Sequence, residues 1–166
     1  MFRQKLNGKI KMNMMRYIFL FSLSLFLYSV SMAQDKMNPE IFPDPVVVAP
    51  DPPKSIKGWK MQDYEGKLVL VGEYPGKILK FQFEGSAVGV AVVSGMHSGI
   101  IEYSVDNYPW QKQDLYVSGQ EQVSYFTLES NLKPRKHMLQ IRLTEEKNPA
   151  SNGTKCVLKA FYFNAK

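Results

Sequence analysis

The amino-acid sequence predicts an all-β protein, an antiparallel β-sandwich or barrel of eight or nine short strands. Three observations carry that expectation. Apolar residues recur at every second position, as in Leu79, Phe81 and Phe83 against Lys80 and Gln82, the period of a strand with one wet face. Most runs end in a turn signal built on glycine, proline, asparagine or aspartate, residues that punctuate strands rather than extend them. No segment of the folded part carries a convincing amphipathic helix, and a series of short strands with turn signals reads as a sandwich or barrel.

The stretch Ile78 to Asp114 organises the rest. Leu79 to Phe83 is followed by Glu84-Gly85-Ser86. Ala87 to Val93 is then apolar throughout, the mark of a strand covered on both faces. Ile101, Tyr103 and Val105 alternate with Glu102 and Ser104. Asp106-Asn107-Tyr108-Pro109 breaks the chain, because Asp and Asn tolerate turn geometry and proline supplies no ladder N–H. Trp110 opens a fourth strand. These four strands read as an antiparallel meander. Lys67 to Val71, Gln111 to Val117, Tyr125 to Leu128, the alternating Leu139, Ile141 and Leu143, and Cys156 to Phe163 supply the remaining strands. Ser118 to Ser124 and Thr144 to Lys155 are polar loops, and Asn131 to Lys136 is a turn. Two sheets packed face to face place Leu79, Phe81, Phe83, Val105, Leu139, Ile141 and Phe161 inside.

The first third differs in composition. Arg16 precedes an apolar run from Tyr17 to Tyr28, and small residues follow at Ser31 and Ala33. A basic start, a short apolar run and a small-residue site predict a secretory signal peptide over residues 1–33, cut after Ala33. The run is short for a transmembrane anchor. Met12, Met14 and Met15 offer alternative starts. Residues 34–57 hold Pro39, Pro43, Pro45, Pro50, Pro52 and Pro53 and read as an extended, semi-rigid linker. Val46-Val47-Val48 offers an edge strand there, which flanking prolines disfavour. The β-sandwich is expected over residues 58–166.

The formal charge is +6, from 21 basic and 15 acidic residues. Residues 1–33 hold Arg3, Lys5, Lys9, Lys11 and Arg16 and no acid, leaving 16 basic against 15 acidic residues in the remainder. The basic balance therefore belongs to the leader and does not argue for nucleic acid, which needs a basic patch on the folded part. No membrane association is expected once the leader is removed. Cys156 is the one cysteine. It permits no internal disulfide and reads as a small core residue.

Catalytic chemistry finds little to work with. Only His97 and His137 could serve as bases, and no serine lies in a Gly-x-Ser-x-Gly elbow, so a Ser-His-Asp constellation is not expected. Scattered histidines and one buried-looking cysteine do not make a transition-metal site. Asp106, Glu102 and Asp114 are loop or strand carboxylates of the kind that can bind calcium, and more often cap turns. No catalytic residue, metal site or cofactor is predicted. The aromatics Trp59, Tyr108, Trp110, Tyr116 and Tyr125 fall near turns or strand ends. A sugar packs its C–H face on such rings while its hydroxyls seek Asp, Asn and Gln. That chemistry nominates Asp106, Asn107, Tyr108, Trp110 and Gln111 as a ligand site, with core filling as the competing role of Trp110. His97 and Tyr108 sit on successive hairpin tips and are expected at opposite ends of the sheet.

Leu79-Lys80-Phe81-Gln82-Phe83-Glu84-Gly85-Ser86-Ala87-Val88-Gly89-Val90 resembles the opening of the jelly-roll domain that precedes SGNH/GDSL-type esterases, including carbohydrate esterases, in secreted bacterial proteins. Gly99-Ile100-Ile101-Glu102-Tyr103-Ser104-Val105-Asp106, Pro109-Trp110, Asp114-Leu115, and Asn131-Leu132-Lys133-Pro134 with His137 and Leu139-Gln140-Ile141-Arg142 are similar to its later motifs. The resemblance spans about residues 67–163. It implies a galactose-binding-like jelly-roll β-sandwich linked to polysaccharide processing. The Gly-Asp-Ser and Asp-x-x-His blocks of the family's catalytic domain have no counterpart here, and Asn107-Tyr108 replaces a Gly-Gly turn. The implied role is a secreted or periplasmic, non-catalytic accessory module with a carbohydrate ligand. Alternatives are a protein-interaction module docking on a separate SGNH-type hydrolase, and the N-terminal fragment of a longer esterase.

Overall fold

The computed structural model describes residues 36–51 and 56–165, and the expected signal peptide lies outside the described residues. Among the described residues no helix is long and apolar enough to cross a membrane. The described residues form ten strands: β1 (Pro45–Val48), β2 (Trp59–Tyr64), β3 (Lys67–Gly72), β4 (Leu79–Gly85), β5 (Val88–Ser94), β6 (Ile100–Val105), β7 (Gln111–Asp114), β8 (Gln122–Glu129), β9 (Arg135–Leu143) and β10 (Cys156–Asn164). One sheet has the order β2-β3-β10-β5-β8 with β1 also paired to β10, and the second has the order β4-β9-β6-β7. Every ladder is antiparallel.

The connectivity is nested. β3 pairs β10, β4 pairs β9, β5 pairs β8 and β6 pairs β7, with successive pairs alternating between the sheets. This is one long hairpin rolled into a two-layer sandwich, the jelly-roll arrangement. The expected central meander does not occur: β4, β5 and β6 are never neighbours, because the chain changes sheet at 86–87 and again at 95–99. A side-chain detail fixes the first change. Asn164 Oδ1 accepts the N–H groups of Ser86 and Ala87 at 2.8 and 2.7 Å, and its Nδ2 donates to Ser86 Oγ. Those amides belong to a corner rather than a ladder and would otherwise be orphaned.

The core follows from the period-two pattern. Leu79, Phe83, Val105, Leu139, Ile141 and Phe161 are buried as expected, and Phe81 is half-buried with its ring stacked on Phe161 at 4.1 Å. Trp59 is buried with its Nε1–H donating to Lys77 O at 2.9 Å, so it is a core residue. β5 is buried along its whole length. Cys156 lies in the core, where burial pushes its thiol up to about 12.

The proline-rich stretch is not free along its length. Phe42 packs edge-on against Tyr162 at 4.7 Å, and β1 pairs with the second half of β10, from Pro45↔Asn164 to Val48↔Phe161. The tether expected over 34–57 thus contributes an edge strand. The edge position is what makes Pro45 tolerable in β1, since its missing N–H need not face a partner. β2 was also not foreseen as a strand, and β7 stops at Asp114, short of the expected Val117.

Candidate functional site

The candidate site is the outer face of the four-stranded sheet at the β6–β7 turn. Asp106 and Asn107 have φ of 51° and 62°, and Tyr108 N–H donates to Val105 O at 2.9 Å. Two central residues at positive φ make the kind of tight turn whose twist matches that of the flanking strands, and Asn and Asp are the side-chain-bearing residues that enter it most readily. The hairpin leaves Tyr108 57% exposed. Ser104 Oγ donates to Tyr108 O at 2.6 Å, and Gln140 Nε2 donates to Asn107 Oδ1 at 2.7 Å, so the tip is tied down on both sides.

Asp106 is occupied within the protein. Its Oδ1 accepts Met138 N–H at 2.9 Å, and its Oδ2 lies 2.9 Å from Arg135 Nη2 and 2.8 Å from His137 Nδ1. Burial pushes its carboxyl up, but the Met138 amide, the His137 ring and the Arg135 guanidinium outweigh that and hold it below its usual 3.8. The Asp–His pair has the look of a base and its orienter. However, the other ring nitrogen of His137, Nε2, points at Lys133 O at 2.7 Å. Both nitrogens face oxygen acceptors in a ring that is 2% exposed, so the pair holds the turn and aims no lone pair at a nucleophile.

Trp110 is half-buried and stands outside the core. The register puts Glu102 opposite both Arg142 and Lys112 on this outer face. The Arg142 guanidinium carbon sits 4.2 Å from the Trp110 ring centre, and Arg142 Nε donates to Glu102 Oε2 at 2.5 Å. Lys112 pairs with Glu146 at 2.6 Å. Trp110 is therefore a surface aromatic with a cation stacked on it.

Of the five nominated residues the structure gathers Asp106, Asn107, Tyr108 and Trp110 at one end of the sheet and turns Gln111 away. Gln111 opposes Tyr103 on the inner face, accepts the Tyr103 hydroxyl at 3.1 Å and donates to Glu129 Oε2 at 3.2 Å. Burial, with Glu129 adding to it, pushes the Tyr103 hydroxyl up to about 12. Gln111 thus stitches the two sheets together. Residues that the sequence did not nominate, Gln140 and Arg142, join the site instead. Their outward position was legible from the alternation of β9, whereas their partners Asn107 and Trp110 were not. His97 lies at the other end of β6, in an arch whose backbone bonds with the 151–155 loop. The expected separation from Tyr108 holds, through an arch between sheets and not a second hairpin. Among the described residues no three His, Cys, Asp or Glu side chains converge to hold a metal ion. Glu102 faces Arg142, and Asp114 accepts Tyr116 N–H and Asn148 Nδ2.

Neither a family model nor a curated relative matches the chain. Solved structures do match in fold. A Paenibacillus xanthan lyase aligns at TM-score 0.53 and 19% identity over 68% of this chain and 12% of the lyase. A family two carbohydrate esterase from Cellvibrio japonicus aligns at 0.54 and 18% over 74% of this chain and 34% of the esterase. A two-domain esterase active on acetylated mannans aligns at 0.59 and 11% over 96% of this chain and 47% of that enzyme. The chain thus spans less than half the length of these carbohydrate-active enzymes. At such identities the likeness is one of fold: this chain is a two-sheet antiparallel β-sandwich of the kind found within them.

Proposed function

We propose that this protein is a secreted or periplasmic, non-catalytic accessory module that binds carbohydrate in the service of polysaccharide or glycan-ester processing. The observation that carries the reading is the pair of rings at the β6–β7 end, Tyr108 exposed at the tip and Trp110 on the adjoining sheet face. Neither ring is spent in the core, and both stand beside polar groups at Asn107, Gln140 and Arg142. Exposed rings with convergent hydrogen-bonding groups suit a sugar, which offers an apolar face and a rim of hydroxyls. The fold likeness to part of several carbohydrate-active enzymes supports the same reading. So does His137, one of only two histidines, whose ring is used up within the protein. Affinity electrophoresis of the protein through gels containing mannan, galactan, xylan and cellulose derivatives tests it. Retardation by at least one glycan is expected, and migration unchanged by all of them overturns the reading.

A further inference from the structure

The half-exposed Arg142 on the outer sheet face has hydrogen-bonding capacity that the fold does not use. Its Nε is bound to Glu102 and its plane is stacked on Trp110. Glu102 is itself 17% exposed, against 41% for Arg142, so the less exposed end of the pair steadies the more exposed one. Among the described residues no acceptor engages the two terminal nitrogens of Arg142. A guanidinium held in this way presents a pre-aimed fork of N–H donors at the surface, which matches a carboxylate better than a single hydroxyl.

The surroundings point the same way. Lys80 opposes Gln140 in the register and so lies diagonal to Arg142 on the same face. Diagonal neighbours in a sheet are within reach of long side chains. Lys80 carries no ion pair among the described residues. Lys112 lies on the far side of Glu102 and is balanced by Glu146. Arg142, Lys80 and Lys112 share this face with Glu102 and, at the β7 end, with Asp114, whose carboxylate is taken up by Tyr116 N–H and Asn148 Nδ2.

We infer that the Arg142–Trp110 pair is the specificity element of this surface and selects a carboxylated sugar, such as a uronic acid residue, over a neutral one. The carboxylate bridges the terminal nitrogens of Arg142, and the apolar face of the same or the next sugar packs on Tyr108 and the open part of Trp110. Glu102 is a positioning residue that keeps the fork aimed. This rests on the carbohydrate-binding reading and names the ligand class of that site.

The test uses the full chain in about 150 mM salt, which screens loose charge attraction beyond a Debye length of about 8 Å. The probes are glucuronoxylan and the same polymer with its carboxylates reduced to alcohols. The native polymer is expected to bind about tenfold tighter or more, the scale of one charge-assisted contact. Arg142→Gln is expected to abolish the preference, and Arg142→Lys, which keeps the charge and loses the fork, to restore only part of it. Equal binding of the two polymers by the unaltered protein overturns this inference and leaves the carbohydrate reading standing. Binding to neither of them, nor to any neutral glycan, overturns both. Full preference in Arg142→Lys shows bare charge at work and overturns the role of the fork.

Discussion

His137 Nδ1 lies 2.8 Å from Asp106 Oδ2 across 31 positions of chain, and this contact joins the turn that carries Tyr108 to the strand β9 beside it. The same carboxylate holds the Met138 amide and Arg135. Its pKa is held below 3.8 in the folded protein, so it contributes stability that is complete above the unfolded value and lost as pH falls through the folded one. Melting temperature is expected to drop as pH falls below about 4, more steeply in the unaltered protein than in Asp106→Asn. Asp106→Ala at neutral pH is expected to cost about 2–3 kcal/mol, since it unmakes charge-assisted bonds around a buried ring. Thermal unfolding across pH measures both.

Tyr108→Ala is expected to weaken glycan binding by about 1–3 kcal/mol, the scale of one aromatic stacking contact, with a change in stability within about 0.5 kcal/mol because the tip is exposed. His97→Ala, at the opposite end of β6, is expected to change neither. Equal binding losses from the two, with both proteins folded, would place the site elsewhere.

Phe42→Ala is expected to destabilise the sandwich by about 3 kcal/mol, the low end for a buried phenylalanine. Phe42 is only 2% exposed, against Tyr162 of the central strand β10. A free tether would show no effect, so urea unfolding of this variant distinguishes an integral segment from a spacer.

Gly89→Ala is expected to be among the most damaging single changes. A Cβ there would sit 2.3 Å from the Tyr162 ring and 2.5 Å from the Phe126 carbonyl oxygen. The backbone oxygen cannot swing aside as a side chain can, and overpacking of this kind costs about 1–3 kcal/mol or more. Loss of soluble expression, or a midpoint shift in urea, reports it.

Strands were legible where one face is wet and the other dry. Leu79-Phe81-Phe83 and Leu139-Ile141-Leu143 alternate because the sheet they share is covered on one side, and the valine-rich, unalternating character of β5 reflects cover on both. β2 carries no such signal, because most of its residues are exposed and leave no alternation to read. The sheet changes were illegible for a different reason. Glu84-Gly85-Ser86 has the look of a hairpin, and what makes it a corner is Asn164, from the last strand. The site was legible in part. Composition marks Tyr108 and its turn, but the face taken by Gln111 depends on register, and a shift of one residue reverses every side chain. The partners of Trp110 belong to β9, and no local pattern announces them.

The last strand, β10, lies in the middle of its sheet, with β3 and β1 along one edge and β5 along the other. A nascent chain therefore cannot close the sandwich until β10 has left the ribosome. Until then the β3 and β5 flanks stand open as templates for foreign strands. High contact order of this kind places folding on the millisecond-to-second scale. It also means that β3 and β5 stay without their shared neighbour, and the first sheet stays in two pieces, for as long as β10 is withheld.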